Sequence, residues 1–338
     1  GMLEAGAKFS CTMTDNVSTY KDFIGGVWKP NPAKSSYFYY RENIAAAYAS
    51  VSYMFNEHWT AKLGLRAEGT FTKGNWRSSG EQTKNNYVNV FPTVFGSYIA
   101  SPEFIYSLSY TYRISRPSYW NMNPQLTYID ATTYTMGNPY LKPSFSHQLT
   151  FMMNLKTHFS IAVFGGFDKD VENQVVSNPE GTLEKKITFE NVGNRVSAGI
   201  SFSMSEFPIF KWWLVNVNLV DMFMRNTTPT SASNQNFASG MLTFNFLLPK
   251  DWSIEAGARM MTPIDMVYMK LENLSWMCWF GVKKTFLDNR LILALNVEDP
   301  FNSSLMKISA YDTAGNKLYS ISTADSARMA RLSISFRF

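Results

Sequence analysis

The sequence predicts an all-β chain folded as an antiparallel transmembrane β-barrel of about fourteen strands. Three observations predict it. Apolar and polar residues alternate with a period of two over stretches longer than ordinary soluble strands. Short turns take turns with long polar segments, and aromatic residues open the strand after five of the six turns in the short series. Such a chain makes one face of each strand apolar and the other polar, which suits a wall between lipid and water.

Trp59–Thr72 shows the alternation most cleanly. Trp59, Ala61, Leu63, Leu65, Ala67, Gly69 and Phe71 are apolar or small, while Lys62, Gly64, Arg66, Glu68, Thr70 and Thr72 are polar, charged or Gly. A period of two puts each set on its own face of a strand; a helix would scatter the charges around its circumference. The same pattern runs through Leu3–Met13, Tyr106–Ser115, Arg195–Met204, Ala238–Phe246 and Ser253–Arg259.

In chain order the predicted strands lie near residues 3–14, 39–55, 59–73, 87–100, 104–115, 146–156 and 159–170. They continue near 185–204, 212–225, 236–248, 252–261, 273–286, 290–299 and 326–338. The turns Asn56–His58, Ser101–Glu103, Lys156–His158, Pro249–Asp251 and Leu287–Asn289 are short, and Ser205–Lys211 is a longer member of that series. The connections Asp15–Ser36, Gly74–Asn86, Arg116–Ser146, Val171–Glu184, Asn226–Gln235, Thr262–Glu272 and Phe301–Ala324 are long and polar. That asymmetry and the even strand count belong to bacterial outer-membrane barrels, with short turns in the periplasm and long loops outside. Trp59, Phe104, Phe159, Trp213 and Trp252 each open a strand after a turn, at the depth of a membrane-interface girdle.

Composition excludes several alternatives. Charged residues are 17% of the chain, against roughly 25% in soluble domains, and aromatics are 16%, which excludes a disordered polymer. No apolar run approaches the roughly 18 residues of a membrane helix. The 31 basic and 26 acidic residues form no cluster that would make nucleic acid a partner. Cys11 and Cys278 lie far apart on the predicted lipid face and read as small apolar residues, and His58, His147 and His158 form no ligand pattern. Neither a metal nor a cofactor is expected. The opening Gly-Met-Leu-Glu reads as an expression remnant before an internal start, so an exported precursor would be longer.

The segment Tyr110–Leu149 carries a family signature. Tyr110 and Arg113 end a strand, followed by Arg116-Pro117, Asn123-Pro124, Gly137-Asn138-Pro139, Leu141 and Pro143-Ser144. Gly64-Leu65-Arg66-Ala67-Glu68, Phe91-Pro92, Phe189-Glu190-Asn191-Val192-Gly193 and Asn296-Val297-Glu298-Asp299 before Phe301-Asn302 support it. In this order they resemble the barrel of TonB-dependent receptors, in the outer-membrane β-barrel family. A complete receptor of that kind has an export signal, a TonB-contacting box, a plug domain and 22 strands. The resemblance therefore implies the C-terminal part of such a barrel, or a shortened relative closed by fourteen strands. It places the chain in the Gram-negative outer membrane among lipid, with plug and TonB as partners only in a full-length protein. The final strand alternates Leu332, Ile334, Phe336 and Phe338 with Arg331, Ser333, Ser335 and Arg337, and its terminal Phe338 resembles the signal read by the barrel-assembly machinery.

Two sets of residues are candidates for function. Lys62, Arg66, Glu68, Arg113, Arg195, Glu255 and Arg259, with Lys8, Asn216, Asn218, Asn245 and Lys283, are expected to face inward. They line a wet lumen or contact a plug, or else only satisfy one another across adjacent strands. Tyr119, Trp120, Tyr128, Tyr134 and Tyr140 in the long loop either stack on a ligand or pack the loop on itself. The family motif residues Arg116, Pro117, Asn123, Pro124, Gly137, Asn138 and Pro139 read as structural, because prolines hold this segment rigid.

No catalytic residue is expected, and the chain is read as a non-enzyme. His147 near Ser144 and Ser146 is the one nucleophile-and-base arrangement worth naming. Asp168, Asp170, Glu172 and Asn173 lack the Gly turn and final Glu of a calcium loop and read as a solvated strand end. The expected role is the barrel portion of a receptor for a large nutrient such as a glycan, peptide or metal chelate. The alternative is a self-contained fourteen-strand passive channel or surface-binding protein.

Overall fold

In the computed structural model, which describes residues 1–77, 80–179, 182, 184–229, 232–288, 290–312, 315–324 and 328–337, fourteen strands form one sheet in chain order. They are β1 Met2–Ser18, β2 Ser36–Met54, β3 Trp59–Trp76, β4 Gln82–Ser101, β5 Phe104–Ser115, β6 Ser144–Leu155 and β7 Phe159–Lys169. The series continues with β8 Asn194–Phe210, β9 Trp213–Thr227, β10 Ala232–Leu248, β11 Trp252–Met261, β12 Ser275–Phe286, β13 Leu291–Glu298 and β14 Met329–Phe336. Every consecutive pair is antiparallel, so over the paired stretches backbone groups bond to the neighbouring strand, as a lipid-embedded strand requires. Among the described residues, β1 and β14 each pair on one side only, leaving two open edges. Phe338 and Asn289 lie outside the described residues.

The register sorts side chains into two faces. One row runs Glu4, Ser50, Gly64, Thr93, Thr111, Gln148, Gly166, Ser197 across eight strands. The opposite face exposes Leu63, Leu65, Phe71, Val88, Leu108, Leu149, Val163, Ile200 and Leu295. A soluble sheet would bury that second set; here most of it stands open, which a lipid surround stabilises. Near the short turns this apolar face carries stacked rings. Trp59 lies 4.6 Å from Tyr98, Tyr98 6.4 Å from Tyr106, and Tyr106 6.3 Å from Phe151. Farther round, Trp213 lies 5.6 Å from Phe246, and its indole nitrogen has no protein partner. Aromatic rings grouped near the short turns suit the membrane interface.

Two expectations about boundaries are corrected. The predicted strand 185–204 is two strands: Lys185–Asn191 belongs to a loop sheet, and β8 begins at Asn194. Gly193 separates them with φ +83, and a Cβ there would sit 1.8 Å from the Thr227 carbonyl oxygen. Only glycine takes that backbone at that approach. The connection Ser205–Lys211 is strand down to Phe210, its ladder shifted after Met204, so the turn shrinks to Lys211 and Trp212.

The long connections also carry structure of their own. Lys21–Ile24 and Val27–Pro30 form a hairpin. Glu172–Ser177, Lys185–Asn191, Thr133–Thr135 and Thr127–Tyr128 form one small sheet, and Ile264–Asp265, Met269–Leu271, Leu305–Tyr311 and Lys317–Ala324 form another. Val176 and Ile187 of the first pack with Ala310 of the second, all three nearly or fully buried. Connections that leave the barrel sheet at different strands therefore meet above one end of it.

Candidate functional site

The polar face and the loops meet at the end of the sheet opposite the short turns. Phe38 and Tyr40 on β2 and Trp76 on β3 point to the polar face there. Met122 and Leu141, from the connection between β5 and β6, pack onto them, with Tyr119 and Phe189 against the cluster. Tyr119 stacks on Phe38 at 5.8 Å. The connection 116–143 is therefore folded inward over the polar face instead of standing in water.

Each motif residue in that connection has a physical task. Arg116 reaches back to β3, where its guanidinium pairs with the Glu68 carboxylate and donates to Thr70 Oγ1 at 2.8 Å. Arg66 holds the other Glu68 oxygen at 2.6 Å. Glu68 is 5% exposed, so an unpaired carboxylate there would be costly, and the two arginines supply the compensation. Ser118 caps the single helical turn Tyr119–Met122, after which Pro124 and the Asn123 side chain, accepting the Gln125 N–H at 3.2 Å, turn the chain.

Gly137 then passes against that turn. Its N–H donates to the Asn123 carbonyl at 2.9 Å, and a Cβ would lie 2.3 Å from the same oxygen. Asn138 donates its amide to the Phe189 carbonyl at 2.9 Å, and Lys142 and Asn191 exchange hydrogen bonds at 2.7 and 2.9 Å. These contacts tie the connection to the loop sheet.

Between the folded connection and its neighbours lies a cavity of about 490 Å3, lined by Lys34, Trp76, Tyr140, Lys186, Thr188 and Glu190 among others. Of the five loop aromatics, Tyr140 is 63% exposed and borders this cavity, and Trp120 is 74% exposed. Tyr119 and Tyr134 are used in packing, and Tyr128 sits between Tyr20, Tyr134 and the Lys34 ammonium. The structure does not bring the five together as one stacking platform.

The seven charged candidates share the polar face by register. Lys62 pairs with Glu4 at 2.8 Å, Arg195 donates to Asn226 at 3.0 Å, and Glu255 accepts from the Trp279 indole at 2.6 Å. Arg113 stands opposite Ser146, and Arg259 lines a hollow with Asn218 and Ser239. Lys8, Asn216, Asn218, Asn245 and Lys283 fall on the same face. His147 lies on the other face, 4.2 Å from the Tyr112 ring and 2.8 Å from the Tyr110 hydroxyl, so Ser144 and Ser146 point away from it. Among the described residues, no group of three or more His, Cys, Asp or Glu is placed to hold a metal ion.

The residues missed from sequence are the inward aromatics. Four consecutive rings, Tyr37 to Tyr40, erase the alternation that would have assigned Phe38 and Tyr40 to a face. Trp76 lies past the predicted end of its strand.

A family model for the outer membrane protein β-barrel family matches residues 1–337. The chain belongs to that family. It is accordingly an outer-membrane protein of Gram-negative bacteria. No curated protein matches.

Solved structures share the fold at low identity. The ferric-catecholate import receptor Fiu of E. coli K12 is 13% identical with a TM-score of 0.68, covering 99% of this chain and 52% of its own. The copper transporter OprC is 12% identical with a TM-score of 0.71, covering 99% and 54%. The ferric yersiniabactin uptake receptor FyuA of Yersinia pestis is 11% identical with a TM-score of 0.66, covering 99% and 51%. The chain thus spans about half the length of these receptors. Family and fold together bear out the likeness to TonB-dependent receptor barrels carried by Tyr110–Leu149.

Proposed function

We propose that residues 1–338 are a single barrel domain, part of the wall of a TonB-dependent receptor that takes up a large nutrient such as a glycan, peptide or metal chelate. The observation that carries this reading is the sheet itself. Its polar face is continuous over fourteen strands and capped at the outer end by inward-folded loops, yet β1 and β14 leave open edges. Open edges are untenable in hydrocarbon, so further strands or closure must cover them. Coverage of half of each receptor above supports further strands. In this reading ligand binds among the outer loops and passes along the polar face once a plug, supplied by the rest of the protein, moves.

Planar-bilayer conductance of the refolded 338-residue chain tests this, with heat-modifiable gel mobility as the folding control. The receptor-wall reading predicts no folded, conducting species. A steady pore from this chain alone would establish the alternative, a passive fourteen-strand channel.

A further inference from the structure

The lipid-facing side of the outer rim carries a row of cations. The register aligns Arg41 on β2, Lys73 on β3 and Lys84 on β4 side by side, with Met13 of β1 at the end of the row. All three are exposed. They lie on the face of Ala45, Leu65, Phe71 and Val88, not on the polar one. Like charges directly opposite one another on adjacent strands repel. Among the described residues no acidic side chain pairs with any of the three. The acid closest in register on this face, Asp15, accepts instead from the Tyr37 hydroxyl at 3.0 Å. Arg77 donates to that hydroxyl at 2.7 Å and covers the Tyr37 ring, extending the basic rim.

Depth decides what this row meets. Arg41 is about twelve residues along β2 from Tyr53 at the lower aromatic girdle, which at ~3.3 Å per residue and a tilt of ~40° is roughly 30 Å. The apolar band of such barrels is ~25 Å tall, so the row stands just above the hydrocarbon of the outer leaflet. Below it Phe71 and Val88 stand open at 46% and 70% exposure, a surface for acyl chains.

We propose that Arg41, Lys73 and Lys84 dock the phosphate-bearing head group of an outer-leaflet lipid, whose chains lie on Phe71, Val88 and Leu65. Guanidinium and ammonium groups bind phosphate oxygens with charge-assisted hydrogen bonds, and a multiply charged head group answers three cations in line. The bound lipid relieves the repulsion within the row and seals β2–β4 into the leaflet.

Native mass spectrometry of the intact protein, purified from outer membranes in detergent and titrated with diphosphoryl lipid A, tests the site. Arg41→Gln/Lys73→Gln/Lys84→Gln is expected to weaken binding on the order of 100-fold, about fivefold per cation. The charge-keeping Arg41→Lys/Lys73→Arg/Lys84→Arg variant is expected to bind within a few-fold of wild type. Should the triple Gln protein not reach the membrane, Lys73→Gln alone carries the test with its fivefold loss. Undiminished lipid A binding by the folded Gln variants would overturn the proposal. So would displacement of lipid A by inorganic phosphate at matched concentration, since the row would then serve a soluble anion.

Discussion

Removing Arg116 tests how the outer mouth is shaped. Its guanidinium is the charged link between the connection 116–143 and the β3 wall, through Glu68 and Thr70, beside the apolar packing on Trp76. Truncating one member of a buried ion pair costs about 3–5 kcal/mol, most of it from the charge left behind. Arg66 still holds Glu68 in the Arg116→Ala protein, so the low end, about 3 kcal/mol, applies. The barrel ladder is untouched, and the loss falls on the connection alone. Three kcal/mol is roughly a 100-fold increase in its open population. Limited proteolysis of the intact protein in detergent reads that population when opening is fast relative to cleavage. Cleavage within 116–143 should accelerate by about two orders of magnitude while heat-modifiable mobility stays normal. Glu68→Ala should cost at least as much, because it leaves two arginines facing each other. Unchanged cleavage in Arg116→Ala would show that Tyr119, Asn138 and the Lys142–Asn191 exchange hold the loop without it, and would refute the assigned role.

Two further outcomes follow from the faces and from the loop charges. Leu65→Arg places a cation on the lipid face of β3 and should cost about 2–4 kcal/mol near the midplane, seen as loss of assembled protein, whereas Ser109→Arg on the polar face of β5 should assemble normally. Glu272 lies outside the barrel strands. Hydrogen bonds from Lys317, Ser309 and Lys307 hold its carboxyl down at about 2. A carboxyl depressed in the fold contributes stability that is present above its ordinary 4.5 and lost as pH falls towards 2. Carbon-detected NMR should place its midpoint near 2; a midpoint near 4.5 would mean the Lys307 and Lys317 pairs do not persist in solution.

How much was legible follows from which interactions are local. Period-two alternation is a property of each strand alone, so fourteen strands and both faces could be read wherever polar and apolar residues take turns. The boundary at Gly193 is marked in the sequence only by a change of phase, from apolar Ile187 and Phe189 at odd positions to Val196, Ala198 and Ile200 at even ones, with the left-handed backbone at that glycine between them. The loop sheets left no local signal: Thr133–Thr135 pairs in parallel with Lys185–Ile187, some fifty residues away. The mouth is similar. Parity put Glu68 on the polar face, but its partner Arg116 is 48 residues on, and a motif alone does not say what its arginine touches.

The central claim is that the sheet divides lipid from water, and cysteine labelling along β3 tests it most directly. Single cysteines at positions 62 to 67, with Cys11 and Cys278 replaced by Ala, would be exposed in whole cells to a small water-soluble maleimide. The account predicts labelling at 62, 64 and 66, where Lys62, Gly64 and Arg66 stand, and protection at 63, 65 and 67. Uniform labelling, or labelling in the opposite phase, would contradict it.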